Sequence, residues 1–148
     1  MDPREFDALL KIALAEDTAR NDMTSRSVLP QKSRMKAAVI VKEPGILAGI
    51  DLAVRVFKLQ DKNLLVRILK KDGSAIKPGQ AVLMVEGSAR SIFAAERVAL
   101  NFLMHLSGVA TLTNQFVRKI RGTRTHILAT RKTLPGLRAL EKYAVRAG

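Results

Sequence analysis

The sequence predicts a mixed α/β chain, a small α+β domain followed by the opening of an α/β domain. Three observations predict it. Up to about residue 90, short β-rich runs bounded by Gly and Pro alternate with helical spacing. From Ser91 the chain becomes a long Ala- and Leu-rich helical stretch. After it comes one apolar strand-like run and then a helix, the order of a βα unit in a parallel sheet.

The elements follow in order. Residues 3–15 place Phe6, Leu9, Leu10 and Ala13 at helical spacing, an amphipathic opening helix. The polar run EDTARNDMTSRSVLP reads as a loop. Its acids Glu16, Asp17 and Asp22 suit capping and turn formation. MKAAVIVKE, residues 35–43, is a strand that Pro44-Gly45 breaks, and the ILA between Gly45 and Gly49 is a short continuation strand. Residues 50–60 fit a helix, and residues 64–70 a strand ending in the turn KDGSA. Pro78-Gly79 is a second turn, leading into a strand over residues 81–86. SIFAAERVALNFLMHLSG is a strongly apolar helix that Gly108 either ends or fits for close packing, and residues 109–120 continue as helix. Residues 125–129 read as a buried strand. Residues 135–146 form the last helix, with Pro135 in its first turn. One βα unit cannot bury a parallel strand on both faces, so the second domain reads as cut short. The alternative is that the last helices fold back on the first domain.

Composition narrows the class. The chain has 148 residues, 47% of them hydrophobic and 26% charged, which is globular rather than disordered. No apolar run reaches the roughly 18 residues of a membrane span, and the acidic, helical start is no signal peptide. The absence of cysteine excludes disulfides and thiolate metal sites and fits a cytoplasmic location. The net charge is +13, unevenly placed: residues 97–148 hold ten basic residues and one acid, Glu141, for a net of +9. Such an excess calls for an anionic partner. With aromatics at 4% and no Trp, the stacking platforms that single-stranded nucleic acid needs are scarce.

The segment richest in chemistry is Thr130-Arg131-Lys132-Thr133-Leu134-Pro135-Gly136-Leu137-Arg138. At the C-terminal end of a parallel strand, such residues point into the active-site face of an α/β barrel. The following helix N-terminus adds backbone N–H donors, Arg a bidentate fork and Lys a point charge, all suited to a carboxylate. The plainer reading is a solvated basic loop. Arg97 lies in an otherwise apolar helix, where it pairs with Glu96 or Asn101 or snorkels to water. Glu96 and Arg97 are neighbours and do not face each other, which favours a structural role. His105 reads as a structurally satisfied or interface histidine and His126 as a strand-end residue. Two distant His without carboxylate partners make a weak metal case. KDGSAIKPGQAVLMVEG resembles the hairpins of lipoyl and biotinyl carrier domains but lacks their exposed lysine tip. Neither a phosphate loop of the Gly-Lys-Ser/Thr type nor a dinucleotide fingerprint is present.

Four runs together carry a resemblance: ALAEDTARNDMTS, KEPGILAG, ERVALNFLMHLSGVATLT and TRKTLPGLRALEKYAVRAG. In that order and at that spacing, covering nearly the whole chain, they resemble the quinolinate phosphoribosyltransferases. The resemblance implies an N-terminal α/β sandwich, here residues 1–103, and the first part of an incomplete α/β barrel, residues 104–148, with fewer strands than the common eight. It implies transfer of phosphoribosyl from phosphoribosyl pyrophosphate to quinolinate with decarboxylation, giving nicotinate mononucleotide, pyrophosphate and carbon dioxide, with magnesium accompanying the pyrophosphate. It implies that Arg97 reaches the site of a neighbouring subunit in a dimer or larger assembly. It places Arg131 and Lys132 at or beside the substrate carboxylates, Thr130 at the same strand end, and Arg138 in the site or in packing. No nucleic acid or membrane is implied. Three positions depart from the family pattern: Asn21 stands for Gly, Met104 for a polar residue, and Ala129 for an acid. Family members are considerably longer, so the expectation is an N-terminal part, inactive alone, with the magnesium ligands elsewhere. Two other readings are a molybdenum-locus homologue acting on a different acidic ring and a basic nucleic-acid-binding module.

Overall fold

In the computed structural model, the backbone is described for residues 1–28 and 30–148, and the side chains for residues 1–17 and 30–148. A 3₁₀ turn over Pro3–Phe6 is capped by Asp2, whose carboxylate accepts the Arg4 amide at 3.0 Å. It leads into α1 (Asp7–Val28), where Asp7 accepts a bidentate pair from Arg55, its Oδ1 lying 2.7 Å from Nε. The guanidinium holds the Asp7 carboxyl below its usual range. The opening helix is therefore present, but Glu16 and Asp17 continue it instead of opening a loop. The side chains of residues 18–29, Asn21 and Asp22 among them, lie outside those described.

β1 (Arg34–Ile40), β3 (Leu65–Ile68) and β5 (Ala81–Ser88) form an antiparallel sheet in the order β1-β5-β3. Register runs Lys36 opposite Glu86 and Ala38 opposite Met84, with an irregularity at Val39/Ile40. β1 ends three residues before the expected Glu43, and its burial alternates strictly, as a strand with one covered face must. On the uncovered face Leu65, opposite Glu86, is exposed.

β2 (Gly45–Ile46) does not continue β1. It pairs with β4 (Ala75–Ile76), just after the KDGSA turn, in a separate two-stranded sheet. Its placement explains two glycines. A Cβ on Gly45 would lie 2.5 Å from Thr111 Oγ1, and one on Gly49 would lie 2.8 Å from Leu106 Cδ1 at a backbone φ of +95°. Backbone and helix thus meet at the distance only glycine permits. Thr111 and Ser107 hydroxyls accept the amides of Ile46 and Ala48 at 2.9 and 3.0 Å, so two widely separated sequence runs dock on each other.

α2 (Ile50–Gln60) has the predicted bounds and buries Leu52, Ala53, Val56 and Phe57 along one face. Its N-terminal amides are capped from a distance: Asp72 accepts from Gly49 and Ile50 at 2.8 and 2.9 Å. α3 (Ala89–Lys119) is a single 31-residue helix. Ser88 caps it, and Arg118 and Lys119 in its last turn favour the negative end of the helix dipole. Ile92, Ala95, Ala99, Leu103, Leu106 and Ala110 recur at helical spacing and are buried. Full burial of Leu103 or Leu106 contributes about 1.5–3 kcal/mol each. α3 packs on α1, α2, α4, β2 and β5, and so touches every layer. Gly108 neither ends it nor fits a close contact, since a Cβ there would meet nothing within 4 Å.

The expected buried strand over residues 125–129 does not form: the stretch is irregular and exposed, Leu128 at 82%. A parallel strand needs paired neighbours and two covered faces, and no described strand lies beside it. The last helix, α4 (Arg138–Ala147), starts three residues after Pro135 because residues 135–137 form a turn, with the Leu137 amide bonded to Leu134 O at 3.0 Å. Leu140 and Ala144 bury that helix in the common core against α3. Tyr143 Oη donates to Asp72 Oδ2 at 2.6 Å, tying α4 to the N-terminal cap of α2. Burial and the adjacent Asp72 raise the Tyr143 phenol above its ordinary range.

Candidate functional site

The candidate residues sit on α3, on the irregular segment after it and at the start of α4. Arg97 projects from α3, its side chain 60% exposed, and donates from Nη1 to Asp17 Oδ1 at 2.8 Å. This partner lies across on α1, eighty residues away in sequence, where the spacing suggests Glu96 or Asn101. Asp17 serves as an ion-pair partner, not as a turn residue.

Thr130, Arg131 and Lys132 are exposed, in an irregular segment and not at a strand end. Thr130 has a local role: its Oγ1 accepts the Lys132 amide at 3.1 Å, an ST-turn that presents Arg131 between them. Arg138 is the exposed first residue of α4. Leu137 at the N-cap offers no side-chain cap to the first-turn amides.

Sequence reasoning missed the group that holds this segment. Glu141 Oε1 lies 3.1 Å from His105 Nε2 on α3 and accepts the Leu134 amide at 3.3 Å. Glu141 is 14% exposed and His105 33%. His105 is therefore structurally satisfied, as expected, but it does have a carboxylate partner, contrary to the sequence reading. The available signal was that Glu141 is the one acid of residues 97–148. Arg97, Asn101 and His105 share one α3 stripe at i, i+4, i+8. A cleft of about 510 Å³ lies along it, lined by Glu16, Asp17, Asn101, Phe102, His105 and Leu137. A second, more basic cleft of about 830 Å³ lies at the end of α3, with Arg118, Arg121 and His126 on its walls. Among the described residues, no group of three or more His, Asp or Glu side chains is placed to hold a metal ion.

Comparison with known proteins gives consistent matches. The family description "Quinolinate phosphoribosyl transferase, N-terminal domain" matches residues 22–107, and "Quinolinate phosphoribosyl transferase, C-terminal domain" matches residues 109–148. The nicotinate-nucleotide pyrophosphorylase (carboxylating) of Mycobacterium leprae (strain TN) is 41% identical over 152 residues, covering 97% of this chain and 53% of that protein. The probable enzyme of the same name in Bacillus subtilis (strain 168) is 39% identical over 148 residues, covering 100% of this chain and 51% of its own length. The crystal structure of NadC from Streptococcus pyogenes superposes with a TM-score of 0.95 at 41% identity, covering 100% of this chain and 53% of that one. The chain thus spans about half the length of the relatives it matches. This likeness bears out the α/β fold class.

Proposed function

Since the chain belongs to the quinolinate phosphoribosyl transferase family, we propose that it carries one part of a site that moves phosphoribosyl from phosphoribosyl pyrophosphate to quinolinate, giving nicotinate mononucleotide, pyrophosphate and carbon dioxide in NAD biosynthesis. The observation that carries the reading is the ordered match of both family descriptions over residues 22–148. The exposed Arg131–Lys132 pair beside an uncapped helix start supports it.

Quinolinate bears two carboxylates on one ring, so fixed cations are needed to bind it. Arg131 offers a bidentate fork and Lys132 a point charge. Thr130 holds their local turn, and Arg138 adds charge at the helix start. The ring nitrogen attacks the anomeric carbon as pyrophosphate leaves, through a transition state with oxocarbenium character. Cleavage of the carbon–carboxylate bond then releases carbon dioxide and leaves a ring carbanion that the cationic ring nitrogen stabilises until it takes up a proton from water. The protein contributes alignment and preorganised charge. Arg97 serves the site of a second subunit in a homodimer or larger assembly, and the Asp17 pair holds it until then. Magnesium belongs with the pyrophosphate, but the described residues offer it no ligand set, so no step is assigned to it.

Among the described residues no helix is long and apolar enough to cross a membrane. The cysteine-free composition suits a reducing cytoplasm, where we place the protein. The C-terminal positive charge is read as serving anionic small molecules, for which the family match speaks, and not nucleic acid. The test is turnover of quinolinate and phosphoribosyl pyrophosphate with magnesium. The 148-residue chain is expected to make no nicotinate mononucleotide alone and to do so when assembled with the remainder that its relatives carry. Robust turnover by the chain alone would overturn the incompleteness, and an assembled enzyme indifferent to Arg131→Ala would overturn the site.

A further inference from the structure

We infer that Glu141 and His105 form a positioning clasp that sets where the Thr130–Lys132 cations stand relative to α3. This rests on the proposed function for its purpose, but not for its test. Residues 121–132 are exposed throughout and carry no regular structure. Such a segment has many accessible conformations, and a pair of cations on it would bind a rigid dicarboxylate poorly unless the loop were ordered beforehand. The local bonds of the segment, Lys132 N to Thr130 Oγ1 and Leu137 N to Leu134 O, fix only its turns.

Glu141 supplies a bond to something rigid. Its Oε1 receives the Leu134 amide, two residues beyond Lys132, and sits 3.1 Å from His105 Nε2 on the long central helix. Its backbone is fixed independently: its own amide bonds to Leu137 O at 2.9 Å, and Leu140 and Ala144 beside it are fully buried. One carboxylate oxygen thus joins three elements, the loop, α4 and α3. The carboxylate is mostly buried, in the mostly cationic C-terminal third of the chain, where a free acid would otherwise weaken anion binding. Engagement by His105 and the Leu134 amide gives it a positional use. His105 shares its α3 stripe with Arg97, so the same helix face carries both the Arg97 cation and the anchor of the Arg131–Lys132 loop.

The experiment is residue-resolved amide hydrogen exchange on the 148-residue chain, with wild type, Glu141→Leu, Glu141→Gln and His105→Leu. Glu141→Leu is expected to speed exchange at Leu134 by roughly ten-fold, the loss of one charge-assisted bond, while Ala144 and the rest of α4 keep wild-type protection. Glu141→Gln, which retains an oxygen acceptor, is expected to restore Leu134 protection to within about two-fold. His105→Leu is expected to give an intermediate loss, since the carboxylate loses its second anchor. Backbone relaxation at Arg131 and Lys132 should report greater motion in Glu141→Leu than in wild type or Glu141→Gln. Unchanged exchange at Leu134 in Glu141→Leu would overturn the clasp. So would a loss of protection spread through α4, which marks a merely structural residue, or a failure of Gln to rescue. None of these readouts uses ligand, so failure of the clasp and failure of the phosphoribosyl-transfer reading remain separate results.

Discussion

Gly49→Ala should be far more damaging than an ordinary glycine-to-alanine change. Gly49 lies at a φ of +95°, where an L side chain is strained by about 1–2 kcal/mol. Its new Cβ would also fall 2.8 Å from Leu106 Cδ1, well inside contact distance. Leu106 is completely buried on α3, which packs against α2 and β2, so it has little room to rotate away. Overpacking of this kind costs about 1–3 kcal/mol. The sum, about 2–5 kcal/mol, is a large share of the 5–15 kcal/mol by which a domain of this size is stable. Gly79→Ala is the matched control: its φ is +82°, but a Cβ there meets nothing within 4 Å. Urea denaturation of the two variants and wild type, read by circular dichroism and fitted with a common slope, isolates the packing component as the difference between them. Gly49→Ala should be less stable than Gly79→Ala by about 1–3 kcal/mol. Equal destabilisation would refute the close approach of the Gly49 backbone to α3 as the reason for glycine at this position.

Other outcomes follow from the same contacts. Thr111→Val keeps the shape but leaves the Ile46 amide without its acceptor, and should cost about 1–3 kcal/mol in the same denaturation assay. Tyr143 is the one tyrosine, so phenolate absorbance reports it alone. Its folded pKa is raised by burial and by Asp72. The stability it contributes is therefore full below the unfolded value of about 10 and is lost as pH rises through the folded value. An ordinary tyrosine titration in the native protein would contradict the Asp72 bond, whereas Asp72→Asn should move the titration down. Arg131→Ala combined with Lys132→Ala should leave the unfolding free energy within about 0.5 kcal/mol of wild type, since both residues are exposed, while abolishing turnover in the assembled enzyme. A large loss of stability would show that these cations serve the fold and not a ligand.

Much of the fold was legible because it is locally encoded. α2 carries its apolar face at helical spacing, and β1 and β5 are β-rich runs ended by turns or caps. The long apolar run after Ser91 reads as helix on both sides of Gly108, but spacing alone leaves open whether the helix runs through that glycine. A glycine on an exposed helix face lowers local propensity without breaking a helix held by Leu103, Leu106 and Ala110. The segment around Ile127 and Leu128 has a strand's composition, yet a strand exists only with neighbours to pair with, and composition says nothing about whether they are present. The cations Arg97, Arg131 and Lys132 were identifiable by residue type and motif. Their settings were not: Asp17 is eighty residues from Arg97, and Glu141 thirty-six from His105.

Helices, main strands, the positive C-terminal third and the family are legible from periodicity, charge and motif order, which are all written along the chain. Which glycines are indispensable, which acid restrains which cation, and that residues 125–129 have no strand partner among the described residues emerge only in the folded chain. Those depend on distances between residues far apart in sequence, which come into being only when α3 packs against every other layer.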